Sequence, residues 1–187
     1  MKRILGAGVL GVDESNHGRD PEVFVAVYSD NPREIRARDQ LLKKDRDNGQ
    51  LERELKNYDY RFILFSRKFK QYFNEHLIKV IAISEFISYF QNNEQFGNLE
   101  KVVFDGELRK QDVDVINAII EPMPKPIITS AVRGDVTIPL VNRADRAAAL
   151  LFKYYTKNRG RKSGRYEKYL LTPNLFLYSK LINSINC

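Results

Sequence analysis

The chain has 187 residues, 43% of them hydrophobic and 29% charged, which excludes the disordered and membrane-embedded classes and allows one substantial core. Thirty-one Lys and Arg against 24 Asp and Glu leave a net charge of +7, which favours a polyanionic partner but also fits a merely solvated cationic face. The single cysteine, Cys187, excludes an internal disulfide framework and a thiolate zinc cluster, so a reducing, cytoplasmic setting is expected.

The first apolar run, Ile4 to Val12, leads directly into Asp13 and Glu14 and then Ser15-Asn16-His17-Gly18. That pattern suits a buried strand entering a turn better than a secretion signal. A second strand is expected over Glu22 to Ser29. The charged stretch from Asn31 to Asn57 opens with an Asn-Pro helix-start signal and breaks near Asn48-Gly49, which predicts two short exposed helices. Tyr60 to Ser66 reads as a strand. After it, Phe69, Phe73, Leu77, Val80, Ile81, Ile83, Phe86, Ile87 and Phe90 recur at helical spacing, a stripe expected to pack on a sheet rather than to stack on bases.

Lys101 to Phe104 predicts a short strand ending in acids, with a helix following around Gln111 to Ile120. Beyond the Pro-rich EPMPKP, the run IITSAVRGDVTIPLV reads as one strand, with a break at Gly134. NRADRAAALLFKYYTK then reads as a helix capped by Asn142. A basic loop, KNRGRKSGR, and a small terminal helix opened by Thr172-Pro173 complete the chain. Strands first and alternating helices and strands later imply an α/β fold: a mixed central sheet with helices on both faces. Residues 1–156 are expected to form the main domain and 157–187 an extension packed on it.

Three acidic positions occupy corresponding places in this order: Asp13-Glu14 after the first strand, Asp105 after VVF, and Asp145 in the first turn of the Ala-rich helix. If neighbouring strands present these ends together, the carboxylates converge. Carboxylate oxygens are hard donors suited to Mg²⁺ or Mn²⁺, and two such ions about 3.5–4 Å apart can clamp the attacking and leaving oxygens of a phosphodiester. Taken singly, each acid is equally well a turn or helix-start residue. Their common position at strand ends is what favours a site.

These segments resemble a known family. GVDESNHG resembles the GIDEAGRG opening of ribonuclease HII, VVFDGE its central strand ending in an aspartate, and NRADRAAALLFK its last acidic segment. That last segment is equally similar to the ribonuclease HI ending. The resemblance implies a ribonuclease H-like fold and makes Asp13, Glu14, Asp105 and Asp145 counterparts of the family's four catalytic, metal-binding carboxylates. It also implies Mg²⁺- or Mn²⁺-supported cleavage of the RNA strand of RNA–DNA hybrids, or cleavage at ribonucleotides embedded in DNA. Asp135 is a second choice for the fourth carboxylate, because RGDVTIP is similar to a bacterial ribonuclease HII segment with Lys-Gly-Asp and a Pro at the same offset.

The family's Gly-Arg-Gly after the acid pair is here Asn16-His17-Gly18, which keeps only the last glycine and departs from the family's junction-reading turn. His17 could relay protons or touch phosphate beside the metals, although a loop histidine is more often simply exposed. The basic residues Lys157, Arg159, Arg161, Lys162 and Arg165 could follow a nucleic-acid backbone, with Tyr166 and Tyr169 stacking beside them, or could form a solvated loop. Glu107 reads as an outer hydrogen-bonding partner of a ligand or as a surface acid. Two functions follow: a metal-dependent endonuclease, or an inactive ribonuclease H-like module that binds nucleic acid or a protein partner.

Overall fold

The computed structural model describes residues 7–15, 20–38, 53, 55–121, 123–157, 164–174 and 178. Five strands form one sheet in the order β3-β2-β1-β4-β5: β1 (Gly8–Ser15), β2 (Glu22–Ser29), β3 (Asp59–Phe65), β4 (Leu99–Asp105) and β5 (Ile127–Ala131). β2 runs antiparallel to β1 and to β3, whereas β4 runs parallel to β1 and β5 parallel to β4. The helices are α1 (Arg67–Lys70), α2 (Glu75–Gln91), α3 (Lys110–Ile119), α4 (Gly134–Thr137) and α5 (Pro139–Lys157). The mixed sheet with helices on both faces is therefore as the sequence implies.

Strand alternation sorts the core into two layers. Leu10, Val12, Phe24, Ala26, Ile63 and Phe104 face α2 and α3, where Ile81, Phe86, Phe90 and Ile116 are buried. Val9, Val23, Val25, Val27 and Phe62 face the opposite way, against Leu140, Ala144, Ala147, Ala148 and Leu151 of α5. The aromatic stripe after β3 is thus core, as expected, but not one continuous helix. Ser66 caps α1 and Asn74 caps α2, each side-chain oxygen accepting a backbone N–H three residues on, so the chain turns between the two caps. Phe69 and Phe73 stack across that turn with ring centroids 4.4 Å apart.

Several boundaries depart from the sequence expectation. β1 is described from Gly8 and runs on through Asp13 and Glu14 to Ser15, so both acids lie within the paired strand rather than after it. The run from Ile127 is not one long strand. It ends at Ala131, where Arg133 takes a left-handed conformation at φ 64° and redirects the chain into α4. The long helix begins at Pro139, not at Asn142, because a proline needs no N–H partner in a first turn and its fixed φ suits that position. Asp145 therefore sits in the second turn of α5, and Asn142 does not cap but donates its side-chain amide to the Asp135 carbonyl at 2.6 Å.

In the charged stretch, Pro32–Ile35 form a single 3₁₀ turn capped by Asn31, and residues 39–52 lie outside the described residues. Of the expected terminal helix, Thr172–Asn174 are irregular, and the rest lies outside the described residues apart from the buried, helical Tyr178. Among the described residues no helix is long and apolar enough to cross a membrane.

Candidate metal centre

The parallel register pairs Val12 with Phe104, so the next residue on each strand, Asp13 and Asp105, stand side by side at the same end of the sheet. Both continue the alternation of residues that face α5: Asp13 follows Val9 and Gly11, and Asp105 follows Val103, which packs on Val141. Glu14 has the opposite parity and faces α2. Asp13 and Glu14 are 5% and 7% exposed, values reached by few carboxylates unless something compensates their charge.

A close approach between strand and helix sets this geometry. A Cβ on Gly11 would lie 2.6 Å from the Leu140 carbonyl carbon and 2.7 Å from the Val141 nitrogen, so only glycine lets the start of α5 rest directly on β1. That contact lies two residues before Asp13 and one helical turn before Asp145. Gly134 plays a similar part beside Asp105. Its N–H donates to Asp105 Oδ1 at 2.7 Å, and a Cβ there would press on that oxygen and on Val141 at 3.2 Å.

The charges at this end of the sheet act on one another. Burial, the largest cause, and the nearby charges of Asp105 and Asp145 hold the Asp13 carboxyl well above the usual carboxylate range, opposed by the Glu14 N–H that donates to it at 2.6 Å. Burial also raises Asp105. The Gly134 N–H works against that rise, while the charge of Asp135 adds to it. The two candidates for the fourth carboxylate thus act on different members of the central pair: Asp145 acts on Asp13, and Asp135, in the first turn of α4, acts on Asp105. Glu107 is exposed, as a surface acid would be.

These oxygens suit a hard divalent cation in chemistry and in charge, since mutual repulsion raises carboxyls that such an ion would relieve. Among the described residues, however, no three His, Cys, Asp or Glu side chains are gathered round one point as a formed metal cage would have them. The donors present therefore fit the ion by type and by their place at the ends of adjacent parallel strands.

Asn16, His17, Gly18, Arg159, Arg161 and Lys162 lie outside the described residues. Lys157 is exposed at the end of α5, twelve residues past Asp145 and hence about 18 Å along the helix axis. Arg165 is exposed, with its guanidinium 5.5 Å from the centroid of the buried Tyr166 ring. Tyr169 stacks on Tyr60 at 4.4 Å rather than presenting a free face on that side.

Two contributors escaped the sequence reading. Gly11 was legible only as a glycine inside a strand, the usual mark of a close backbone approach. Lys79, on α2, is 6% exposed, and its ammonium lies 2.7 Å from Glu75 and 3.9 Å from Glu14. Its signal was a lone lysine inside the apolar stripe, four residues after a glutamate.

A mixed sheet with this strand order, helices on both faces and acids at the ends of the central parallel strands defines the class of architecture: the chain has a ribonuclease H-like fold. In particular, it is similar to the ribonuclease H2 of Pyrococcus horikoshii OT3, at 16% identity and a TM-score of 0.59 over 93% of this chain and 88% of that one. It is similar to the RNase HII of Archaeoglobus fulgidus, solved in complex with PCNA, at 14% identity and a TM-score of 0.59 over 96% of this chain and 89% of that one. Bst-RNase HIII, solved in complex with Mn²⁺, aligns at 12% identity with a TM-score of 0.61, over 83% of this chain and 55% of that one. No protein-family model and no curated protein sequence matches the chain.

Proposed function

We propose that the protein is a metal-dependent endonuclease that hydrolyses phosphodiester bonds, with the RNA strand of RNA–DNA hybrids as its substrate class. The observation that carries this reading is the pairing of Asp13 and Asp105 on adjacent parallel strands, facing α5, with Asp145 near enough to raise the Asp13 carboxyl. The ribonuclease H-like fold and a neighbour solved with Mn²⁺ support it.

In this reading Asp13 and Asp105 hold Mg²⁺ or Mn²⁺, with Glu14 and either Asp145 or Asp135 completing the acidic set. The bound ion supplies a more acidic water and a counter-charge for the reacting phosphate. The chain's own residues supply position. The Gly134 N–H fixes one oxygen of Asp105, the Glu14 N–H fixes one oxygen of Asp13, and the seating of α5 on Gly11 sets how close Asp145 comes. Lys157 and Arg165 hold backbone phosphates away from the reacting bond.

A second reading is a ribonuclease H-like module that binds nucleic acid or a protein partner without cutting, and the departure of Asn16-His17-Gly18 from the family's Gly-Arg-Gly turn supports it. The test is to incubate the purified protein with labelled RNA–DNA hybrid, DNA carrying one ribonucleotide, double-stranded RNA and single strands, in Mg²⁺ or Mn²⁺ and then in EDTA. The expected result is metal-dependent cleavage of the hybrid, lost in Asp13→Asn and in Asp105→Asn. Salt-sensitive binding with no cleavage of any substrate would establish the module instead, and cleavage by the two variants at the wild-type rate would remove the site.

A further inference from the structure

The edge strand β3 carries a second feature, on the same face of the sheet as α5 but away from the acids. The Leu171 N–H donates to the Phe62 carbonyl at 2.8 Å, which fastens the C-terminal turn Glu167–Tyr169 against the strand. Between that turn and β3 lies a cavity of about 320 Å³. The register puts Tyr60 level with Gly11, two strands across and two residues back from the level of Asp13, or roughly 12 Å from it. That is beyond the coordination sphere of an ion held by the aspartates, so the cavity is a separate place.

Its walls are of two kinds. Leu55, Tyr60 and Tyr166 are buried and give an apolar, aromatic floor, whereas Lys56, Arg165 and Lys168 stand exposed at the rim. Among the described residues no acid lines the cavity; Glu167, between Tyr166 and Lys168, has a carboxylate oxygen beside Gly164 instead. Neither Lys56 nor Lys168 has an ion pair among the described residues, and the Lys168 ammonium sits 4.7 Å from the centre of the Tyr169 ring. Tyr60 is 2% exposed, yet its hydroxyl has no hydrogen-bond partner among the described residues. A buried phenol ordinarily spends that group on a partner. Burial first, and then the neighbouring Tyr169 and Tyr166, hold this phenol well above its ordinary range, so it keeps its proton and is a donor.

Cations without acids among them attract an anion, and a buried hydroxyl donor fixes where one of its oxygens sits. A phosphate monoester brings a charge of about −1.5 to −2 and three acceptor oxygens, more than an internal diester offers. The aromatic floor suits a flat, partly apolar body attached to that phosphate. Ligand sites span about 300–1,000 Å³, so a cavity at the lower end holds one nucleotide and not a run of strand.

We infer that this cavity binds a terminal nucleoside phosphate, carried by a free mononucleotide or by the phosphorylated end of a nucleic-acid strand. Lys56 and Lys168, beside Arg165, take the phosphate, Tyr60 donates to the ligand, and the tyrosine floor meets the sugar or base. The site goes beyond the metal centre and does not depend on it.

The test uses the full chain in EDTA, so that no metal contributes, and about 0.15 M salt, where singly exposed charges are largely screened. Calorimetry compares adenosine 5′-monophosphate with adenosine, and a labelled single-stranded oligonucleotide with a 5′-phosphate is compared with its 5′-hydroxyl twin. The variants are Tyr60→Phe, which keeps the ring and its stack on Tyr169, and Lys56→Gln combined with Lys168→Gln. Each is checked for folding by circular dichroism and melting temperature. In wild type the phosphorylated member of at least one pair is expected to bind about tenfold tighter or more. That preference should fall by about threefold to tenfold in Tyr60→Phe and by about tenfold or more in the lysine double variant.

A preference for the mononucleotide with the two strands bound alike identifies a free nucleotide as the source, and a preference for the phosphorylated strand identifies a strand end. Two results would overturn the inference: no preference for the phosphate beyond about twofold in either pair, or a preference that the folded variants keep within about twofold. Loss of nuclease activity in the carboxylate variants bears on neither result, so the two readings fail separately.

Discussion

Adding one methyl group at Gly11 separates the fold from the site. The new Cβ would lie 2.6 Å from the Leu140 carbonyl carbon, 2.7 Å from the Val141 nitrogen and 2.8 Å from the Leu140 oxygen, all backbone atoms with no rotamer to escape into. Ordinary carbon contacts begin near 3.5 Å, so the start of α5 must rise from the sheet by about 1 Å. Overpacking of this kind costs about 1–3 kcal/mol, which in a chain of this size lowers the melting temperature by roughly 2–12 °C. The same 1 Å moves Asp145 away from Asp13, and misplacement on that scale costs about 10²-fold in rate.

Gly8→Ala is the control. Its Cβ would strike the Tyr28 ring at 2.6 Å, at the other end of β1, and would disturb packing without touching α5. Both variants are expected to melt earlier, and only Gly11→Ala to lose hybrid cleavage steeply when each is assayed well below its own melting temperature. Full cleavage by Gly11→Ala, or equal losses in the two variants, would refute the claim that the contact of α5 with β1 sets the carboxylate geometry.

Because Asp13 is raised well above its ordinary range, its protonated form stabilises the metal-free protein. That contribution is complete below the unfolded-state range and is lost as pH rises through the elevated folded value. Asp13→Asn should therefore be more stable than wild type at neutral pH in EDTA and should flatten the decline in urea midpoint with rising pH, whereas an unchanged profile would contradict the assignment. Saturating Mn²⁺ should stabilise wild type but not Asp13→Asn; at about a hundred times the dissociation constant the gain is about 2.7 kcal/mol, read as a higher melting temperature. Lys157→Ala and Arg165→Ala should each weaken hybrid binding and lower the slope of log affinity against log salt by about 0.9, if each residue contacts a phosphate. Asp145→Asn and Asp135→Asn, compared for Mn²⁺ affinity and cleavage, rank the two fourth-carboxylate candidates, and the larger loss is expected from Asp145→Asn because its charge reaches Asp13.

The strands were legible in the sequence because an apolar run that meets an acid reports a strand near its end, although β1 stays buried through Asp13 and Glu14. VLGVDE and KVVFDG carry that pattern, and the structure sets the two aspartates on neighbouring strands. The stripe from Phe69 to Phe90 was legible as core for the same reason, while Ser66 and Asn74, which divide it, are small caps inside a strong periodic signal. The region from Gly134 to Asn142 was misread because Val-Thr-Ile reads as a strand by composition. The deciding features are instead the left-handed Arg133 turn and Pro139 at a helix start. That error moved Asp145 from the second turn to the first. The pairing of Lys79 with Glu14 was not legible, because it joins residues 65 positions apart across a strand and a helix.

The central claim is that Asp13 and Asp105 together hold a divalent ion at the end of the two parallel strands. Crystals soaked in Mn²⁺ and measured for anomalous scattering test it most directly. The account predicts a peak on the α5 side of the sheet, about 2.0–2.6 Å from an oxygen of each aspartate and absent from Asp105→Asn crystals. Crystals saturated with Mn²⁺ that show no peak between the two carboxylates would contradict it.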